Sequence, residues 1–122
     1  MPKKSFLSSF GFAAEGIKYA MLTQRNMKVH GMVAVIVIIA AATLGVSPTQ
    51  WLFLLLAITL VITAEMFNTA LEAVVDLVSL DIQPLAKAAK DTAAGAVLLT
   101  AVFAVVIGIM IFYKPIIKLF TG

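Results

Sequence analysis

The chain has 122 residues, 62% of them hydrophobic and only 12% charged, with a net charge of +3, one histidine and no cysteine. An ordinary soluble domain carries about 25% charged residues. A soluble core of this length could not hide so much apolar surface, so lipid is the expected solvent for much of a single domain covering residues 1–122. Without cysteine there is no disulfide framework and no thiolate metal site, and His30 alone cannot form a histidine cluster for zinc. Metal chemistry must then rest on carboxylates, which suit magnesium or a similar hard cation. The basic excess is too small and scattered to suggest nucleic acid, and beside membrane spans it reads as topology.

Residues 1–29 alternate basic and apolar positions, with Phe6, Leu7, Phe10, Ile17, Tyr19 and Met21 among Lys3, Lys4, Lys18, Arg25 and Lys28. This pattern predicts an amphipathic helix lying on a membrane surface. No apolar core of a cleaved signal peptide is present before residue 30. A first span follows over 30–47, uncharged from Gly31 to Val46. The Gly45–Gln50 stretch is a turn, with Pro48 suited to the first turn of the next helix.

The second span, 50–79, begins beside Trp51, an interfacial anchor. Its first half is uniformly apolar, and its second half carries Glu65, Asn68, Glu72 and Asp76. At about 100° per residue these four fall within an arc of roughly 80° and line one face. Asp81 and Pro84 mark a short connection. A third span, 85–113, opens with Lys87, Lys90 and Asp91, and its small residues (Ala86, Ala89, Ala93, Gly95, Ala96) permit close helix approach. The positive-inside rule places the N-terminal segment and the second-to-third connection in the cytoplasm, with Gly45–Gln50 outside; Lys114 and Lys118 weaken that bias without reversing it.

Carboxylates at membrane depth cost about 2.5–3.5 kcal/mol each on insertion scales, so they usually have a task. One reading of the stripe is helix–helix glue, with Asn68 and the acids paired to Lys90, Lys87 or Arg25. A second is phosphoryl transfer, in which cations neutralise phosphate, a lysine draws on its oxygens and a carboxylate receives the proton of an attacking hydroxyl. No Gly-rich nucleotide loop exists, so a nucleotide site is permitted rather than demonstrated. An ion-coupled transporter with Glu65 as its membrane carboxylate is permitted equally.

The run Glu65-Met-Phe-Asn68-Thr-Ala-Leu-Glu72-Ala-Val-Val-Asp76 resembles the signature of prokaryotic diacylglycerol kinases, E-x-x-N-[ST]-A-[IL]-E-x-x-V-D. Residues 86–97 resemble that family's A-K-D block, and the likeness extends from about residue 6 to 113. The resemblance implies an all-α integral membrane protein: an amphipathic surface helix and three transmembrane helices closing into a homotrimer with sites shared between subunits. It implies a bacterial cell-membrane lipid kinase acting on the cytoplasmic side, with ATP as co-substrate and Mg2+ as cofactor. Glu65 would take the proton of the lipid hydroxyl, with Asn68 ordering the reacting groups. Glu72 would bind the metal bridging the nucleotide phosphates, and Lys90 would stabilise the transferring phosphoryl group. Asp91 would also lie in the nucleotide site, Asp76 would hold it together, and Asp81 to Gln83 would lie near the nucleoside.

Arg25-Asn26-Met27-Lys28-Val29-His30 is similar to the R-N-[MF]-[KR]-x-H block of the Gram-positive-type branch. That branch implies undecaprenol as the lipid alcohol, ahead of diacylglycerol. His30 is read as an interfacial histidine near phospholipid headgroups. Two departures stand out. The family has glutamate where this chain has Gln24, sharing the metal with the Glu72 position, and an amide offers a neutral oxygen without the charge. Ser5 stands where some members carry a basic residue.

Overall fold

A computed structural model describes residues 5–79, 81 and 83–122. Every regular element among them is a helix: α1 (Phe6–Thr23), α2 (Arg25–Leu44), α3 (Pro48–Val78) and α4 (Pro84–Thr121). The last three are long and apolar enough to cross a membrane. At about 1.5 Å per residue, α3 is about 46 Å long, against a hydrocarbon core of about 30 Å. Its polar end therefore projects beyond the apolar slab.

Local chemistry sets the boundaries. Ser5 caps α1, its Oγ accepting from the Ser8 backbone N–H at 3.1 Å. Gln24 alone separates α1 from α2, with extended backbone (φ −109°, ψ 117°) and its N–H still bonded to the Ala20 carbonyl. Helix α2 ends at Gly45, whose φ of 67° suits a residue without Cβ, and the N–H groups of Gly45 and Val46 both reach the Ala41 carbonyl. Helix α3 starts with a capping box. Gln50 N–H donates to Ser47 Oγ at 3.2 Å, and Ser47 N–H donates to Gln50 Oε1 at 2.9 Å, with Pro48 at the first position. Pro84 likewise takes the first position of α4, whose N-cap Gln83 makes no side-chain capping bond, and α4 continues past Tyr113 through Pro115.

Helix α3 is the central element, packed most extensively on α4 and next on α2, while α1 touches α2 and α3. Ala41, Leu54 and Ile111 form a core with Val37, Trp51 and Phe112 against them, so the bundle is tied together near the Gly45–Ser47 turn. Because α2 and α3 form a tight antiparallel hairpin, residues equally far from the turn lie level with one another. Ala41 is level with Leu54, Ala34 with Val61 and Met27 with Asn68, and all six are buried. Each series repeats every seventh residue, the spacing that keeps one seam on a partner helix.

The accessible surface is 9140 Å², against about 6,300 Å² for a folded soluble monomer of this mass. The excess is largely apolar: Leu52, Leu60, Leu98, Val105 and Met110 are among the many large side chains left exposed. In lipid that surface carries no penalty, as an integral membrane helical protein requires.

Candidate functional site

The polar stripe of α3 is graded along the axis. Glu65 is 0% exposed and Asn68 7%, whereas the side chain of Asp76 is 56% exposed. At about 1.5 Å per residue, Glu65, Glu72 and Asp76 lie about 21, 31 and 37 Å from Trp51. With Trp51 at one interface, Glu65 sits inside the apolar slab, Glu72 at its opposite boundary and Asp76 beyond it. A single helix face thus runs from hydrocarbon to water.

At the buried end both carboxylate oxygens of Glu65 and the Oδ1 of Asn68 are buried without a hydrogen-bond partner. The Asn68 amide Nδ2 donates to Glu72 Oε1 at 3.4 Å, linking the middle of the stripe. Thr69 is satisfied locally, its hydroxyl donating to the Glu65 carbonyl at 2.8 Å. Native interiors leave few polar atoms orphaned, and three acceptors within one helical turn call for a donor or cation beyond the described residues.

At the exposed end Lys90 Nζ lies 2.7 Å from Asp76 Oδ1, joining α4 to α3. Asp91 is paired instead with Lys87, one turn away on its own helix. Beside these pairs a cleft of about 830 Å³ is lined by Val75, Val78, Ser79, Asp81, Gln83 and Ala86, among others. Ser79 Oγ donates to the Asp81 carbonyl at 3.2 Å. Asp81 and Gln83 line this cleft, while Ile82 between them lies outside the described residues.

Gln24 is half-buried at the α1–α2 break, and counting from the hairpin turn brings it nearly level with Glu72. No cluster of three histidine, aspartate or glutamate side chains is found among the described residues. The described residues thus hold no all-protein cage. The donors fit magnesium, which commonly takes one or two carboxylates and completes its shell with phosphate and water. Glu72 would supply the carboxylate, and the unpartnered Asn68 Oδ1 is a hard oxygen one turn away.

His30 is the residue that sequence reasoning placed elsewhere, near headgroups. Its Nε2 is 3.6 Å from Glu65 Oε2, and its side chain is 22% exposed against 1% for the glutamate. The signal available in sequence was the hairpin count: His30 and Glu65 are nearly equidistant from Gly45–Ser47, level with one another like the three buried pairs. His30 also borders an apolar groove of about 500 Å³ between α2 and α4, floored by Ala57, Val61 and Ile62 of α3, and among the described residues is the only titratable one in its lining.

A family model described as prokaryotic diacylglycerol kinase matches residues 11–112. The chain is 45% identical over 116 residues to a diacylglycerol kinase of Synechocystis sp., a match covering 94% of this chain and 66% of that protein. It is 41% identical over 107 residues to the undecaprenol kinase of Bacillus subtilis, covering 88% and 87% of the two chains. A diacylglycerol kinase of Escherichia coli is 27% identical over 100 residues, covering 82% of each.

Proposed function

The chain belongs to the prokaryotic diacylglycerol kinase family, a family of lipid kinases, and we propose that it transfers the terminal phosphoryl group of ATP to the hydroxyl of undecaprenol. The observation that carries this reading is the graded stripe of α3. A lipid alcohol and a nucleotide occupy different solvents, and a kinase joining them needs one continuous site from hydrocarbon to water. Glu65 lies at the lipid end, Asn68 and Glu72 at the boundary, and Asp76 with Lys90 in the aqueous layer.

Each residue has a role set by that depth. Glu65 is the carboxylate that draws the proton from the lipid hydroxyl, and Asn68 orders the groups beside it. Glu72, with the amide oxygen of Gln24, holds magnesium, which when bound neutralises phosphate charge at the interface. Lys90 stabilises the charge of the transferring phosphoryl group; its ammonium is held in the aqueous layer by Asp76. Asp91, Asp81 and Gln83 face the remainder of the nucleotide. The site lies on the cytoplasmic side of a bacterial cell membrane, because Arg25, Lys28, Lys87 and Lys90 gather at that end of the bundle.

Undecaprenol is favoured over diacylglycerol for two reasons. The Arg25–His30 block resembles the Gram-positive-type branch. The Bacillus undecaprenol kinase is also matched over most of its length, whereas the Synechocystis diacylglycerol kinase is matched over two thirds. A homotrimer with sites completed by neighbouring subunits suits the apolar surface on α2 and α4 and the orphaned acceptors of Glu65 and Asn68.

The test is phosphate transfer from labelled ATP to undecaprenol and to diacylglycerol in mixed micelles, for the chain as it stands and for Gln24→Glu. Lipid labelling is expected, undecaprenol preferred, with Gln24→Glu reaching half-maximal rate at several-fold lower magnesium because a second carboxylate strengthens the site. Labelling of neither lipid by either protein rejects the kinase reading. An unchanged magnesium requirement removes Gln24 from the metal site.

A further inference from the structure

A lipid alcohol whose hydroxyl stands at Glu65 must lay its chain along the apolar slab, and the groove of about 500 Å³ between α2 and α4 begins beside that carboxylate. Its inner end is His30, whose Nε2 is 3.6 Å from Glu65 Oε2. From there the groove follows the face of α3 from Ile62 to Leu54, about 12 Å along the helix. That direction is the one a lipid tail takes, away from Asp76 and Lys90 and into the hydrocarbon. Phe112, which packs against the Ala41–Leu54–Ile111 core, marks the far end.

The walls decide what fits. Among the described residues His30 is the only polar side chain in the lining, and every other one is aliphatic, aromatic or glycine. The helix backbones are bonded internally and add no free donor. Small residues make the room: Ala57 on α3, with Ala104 and Gly108 on α4. Ile111 meets Leu54 and the two helices run antiparallel, so Gly108 is nearly level with Ala57. A Cβ at Gly108 would meet nothing within 4 Å among the described residues. Glycine weakens a helix relative to alanine, and no close approach of another helix of the protomer requires it here. The space it leaves is the groove.

Resting on the lipid-kinase reading, we propose that this groove seats the first stretch of a single polyprenyl chain, and that Ala57, Ala104 and Gly108 are the residues that select it over diacylglycerol. A polyprenol is polar only at its terminal hydroxyl, and the hydrocarbon behind it meets apolar walls as it would meet lipid. Its methyl branches fill the hollows at Ala57 and Gly108 and gain dispersion contact there. Diacylglycerol carries two ester groups within a few bonds of its hydroxyl. Drawn into the same groove, their carbonyls leave water and find no donor except His30, which is a net cost. Met32, Ile36, Leu99 and Met110 are exposed and lie outside the lining. Contacts between subunits therefore have other apolar faces to use while the groove stays open to lipid.

The test uses the full chain in mixed micelles with labelled ATP, in whichever of the unaltered or Gln24→Glu backgrounds is more active. Gly108→Leu fills the middle of the groove, and Gly108→Ala adds a single methyl group. Gly108→Leu is expected to raise KM for undecaprenol about tenfold or more, the effect of misfit in a hydrophobic pocket, and KM for diacylglycerol by less than about twofold. The values of kcat and of KM for ATP, and the size of the oligomer by gel filtration, are expected to match the parent, with Gly108→Ala close to it throughout. A second measurement needs neither turnover nor a variant: a polyprenol carrying a diazirine on an early isoprene unit is photolysed with the parent protein. Label is expected on residues 101–109 of α4 or 57–62 of α3, suppressed by excess undecaprenol and not by diacylglycerol. An undecaprenol KM unchanged in Gly108→Leu, an equal rise for both lipids, or label confined to other segments overturns the proposal and leaves the kinase reading standing. Dissociation of the oligomer by Gly108→Leu also overturns it, because a second copy of the chain then fills the groove. If neither background phosphorylates any lipid, the kinase reading fails, and only the photolabel on the groove would keep the chain seat.

Discussion

Replacing Glu65 by methionine separates the functional reading of the α3 stripe from a structural one. Glu65 is 0% exposed, and both its carboxylate oxygens lack a hydrogen-bond partner. Each unmet buried acceptor costs about 1–3 kcal/mol, and a charged one more. The facing imidazole at 3.6 Å returns only part of that cost. Methionine has nearly the same length, fills irregular space and favours a helix. It removes both orphaned acceptors, and His30, being partly exposed, keeps access to water. Glu65→Met is therefore expected to stabilise the bundle by about 1–4 kcal/mol, the gain seen when buried ion pairs are exchanged for apolar residues.

The assay is reversible unfolding in mixed micelles by added denaturing detergent, followed by the fluorescence of Trp51, the single tryptophan, which packs against the Ala41–Leu54–Ile111 core. Phosphate transfer measured in parallel should fall by about 10²–10⁴-fold. Greater stability with lost activity is what a residue retained for chemistry produces. If Glu65→Met instead destabilises the protein by more than about 1 kcal/mol, the carboxylate is helix–helix glue and the reasoning fails.

Lys90→Ala should lower kcat by about 10²–10³-fold, the effect of removing one preorganised electrostatic contact. Its melting in micelles should barely change, because exposed ion pairs such as Lys90–Asp76 contribute little to stability; early melting with kcat intact would refute the assignment. Ser47→Ala removes the capping box of α3 and should cost about 1 kcal/mol by the same unfolding assay. Its kinetics should match the parent, since Ser47 lies about 27 Å along the helix from Glu65, and a selective loss of kcat would show that the two ends of α3 are coupled.

The chain's apolar excess required lipid-facing helices before any coordinates, and three long apolar helices are what the structure contains. The four polar residues of α3 lay on one face by helical period alone, and Glu65–Asp76 with Ala86–Val97 carried a family resemblance that the match to residues 11–112 bears out. Helix ends were less legible. The α1–α2 break falls at Gln24, where no glycine or proline announces it, and α4 continues past Tyr113 through Pro115 to Thr121. The depth of each acid followed from counting along α3, but its exposure did not, since exposure depends on what the neighbouring helices cover. Tertiary structure alone decided that Asp91 pairs with Lys87 while Lys90 crosses to Asp76. It brought the side chains of His30 and Glu65, level by the hairpin count, to within 3.6 Å. Helical period determines which face of one helix a residue occupies; which residue of another helix meets it depends on the turn, crossing and axial register of the pair, and those exist only once the helices have packed.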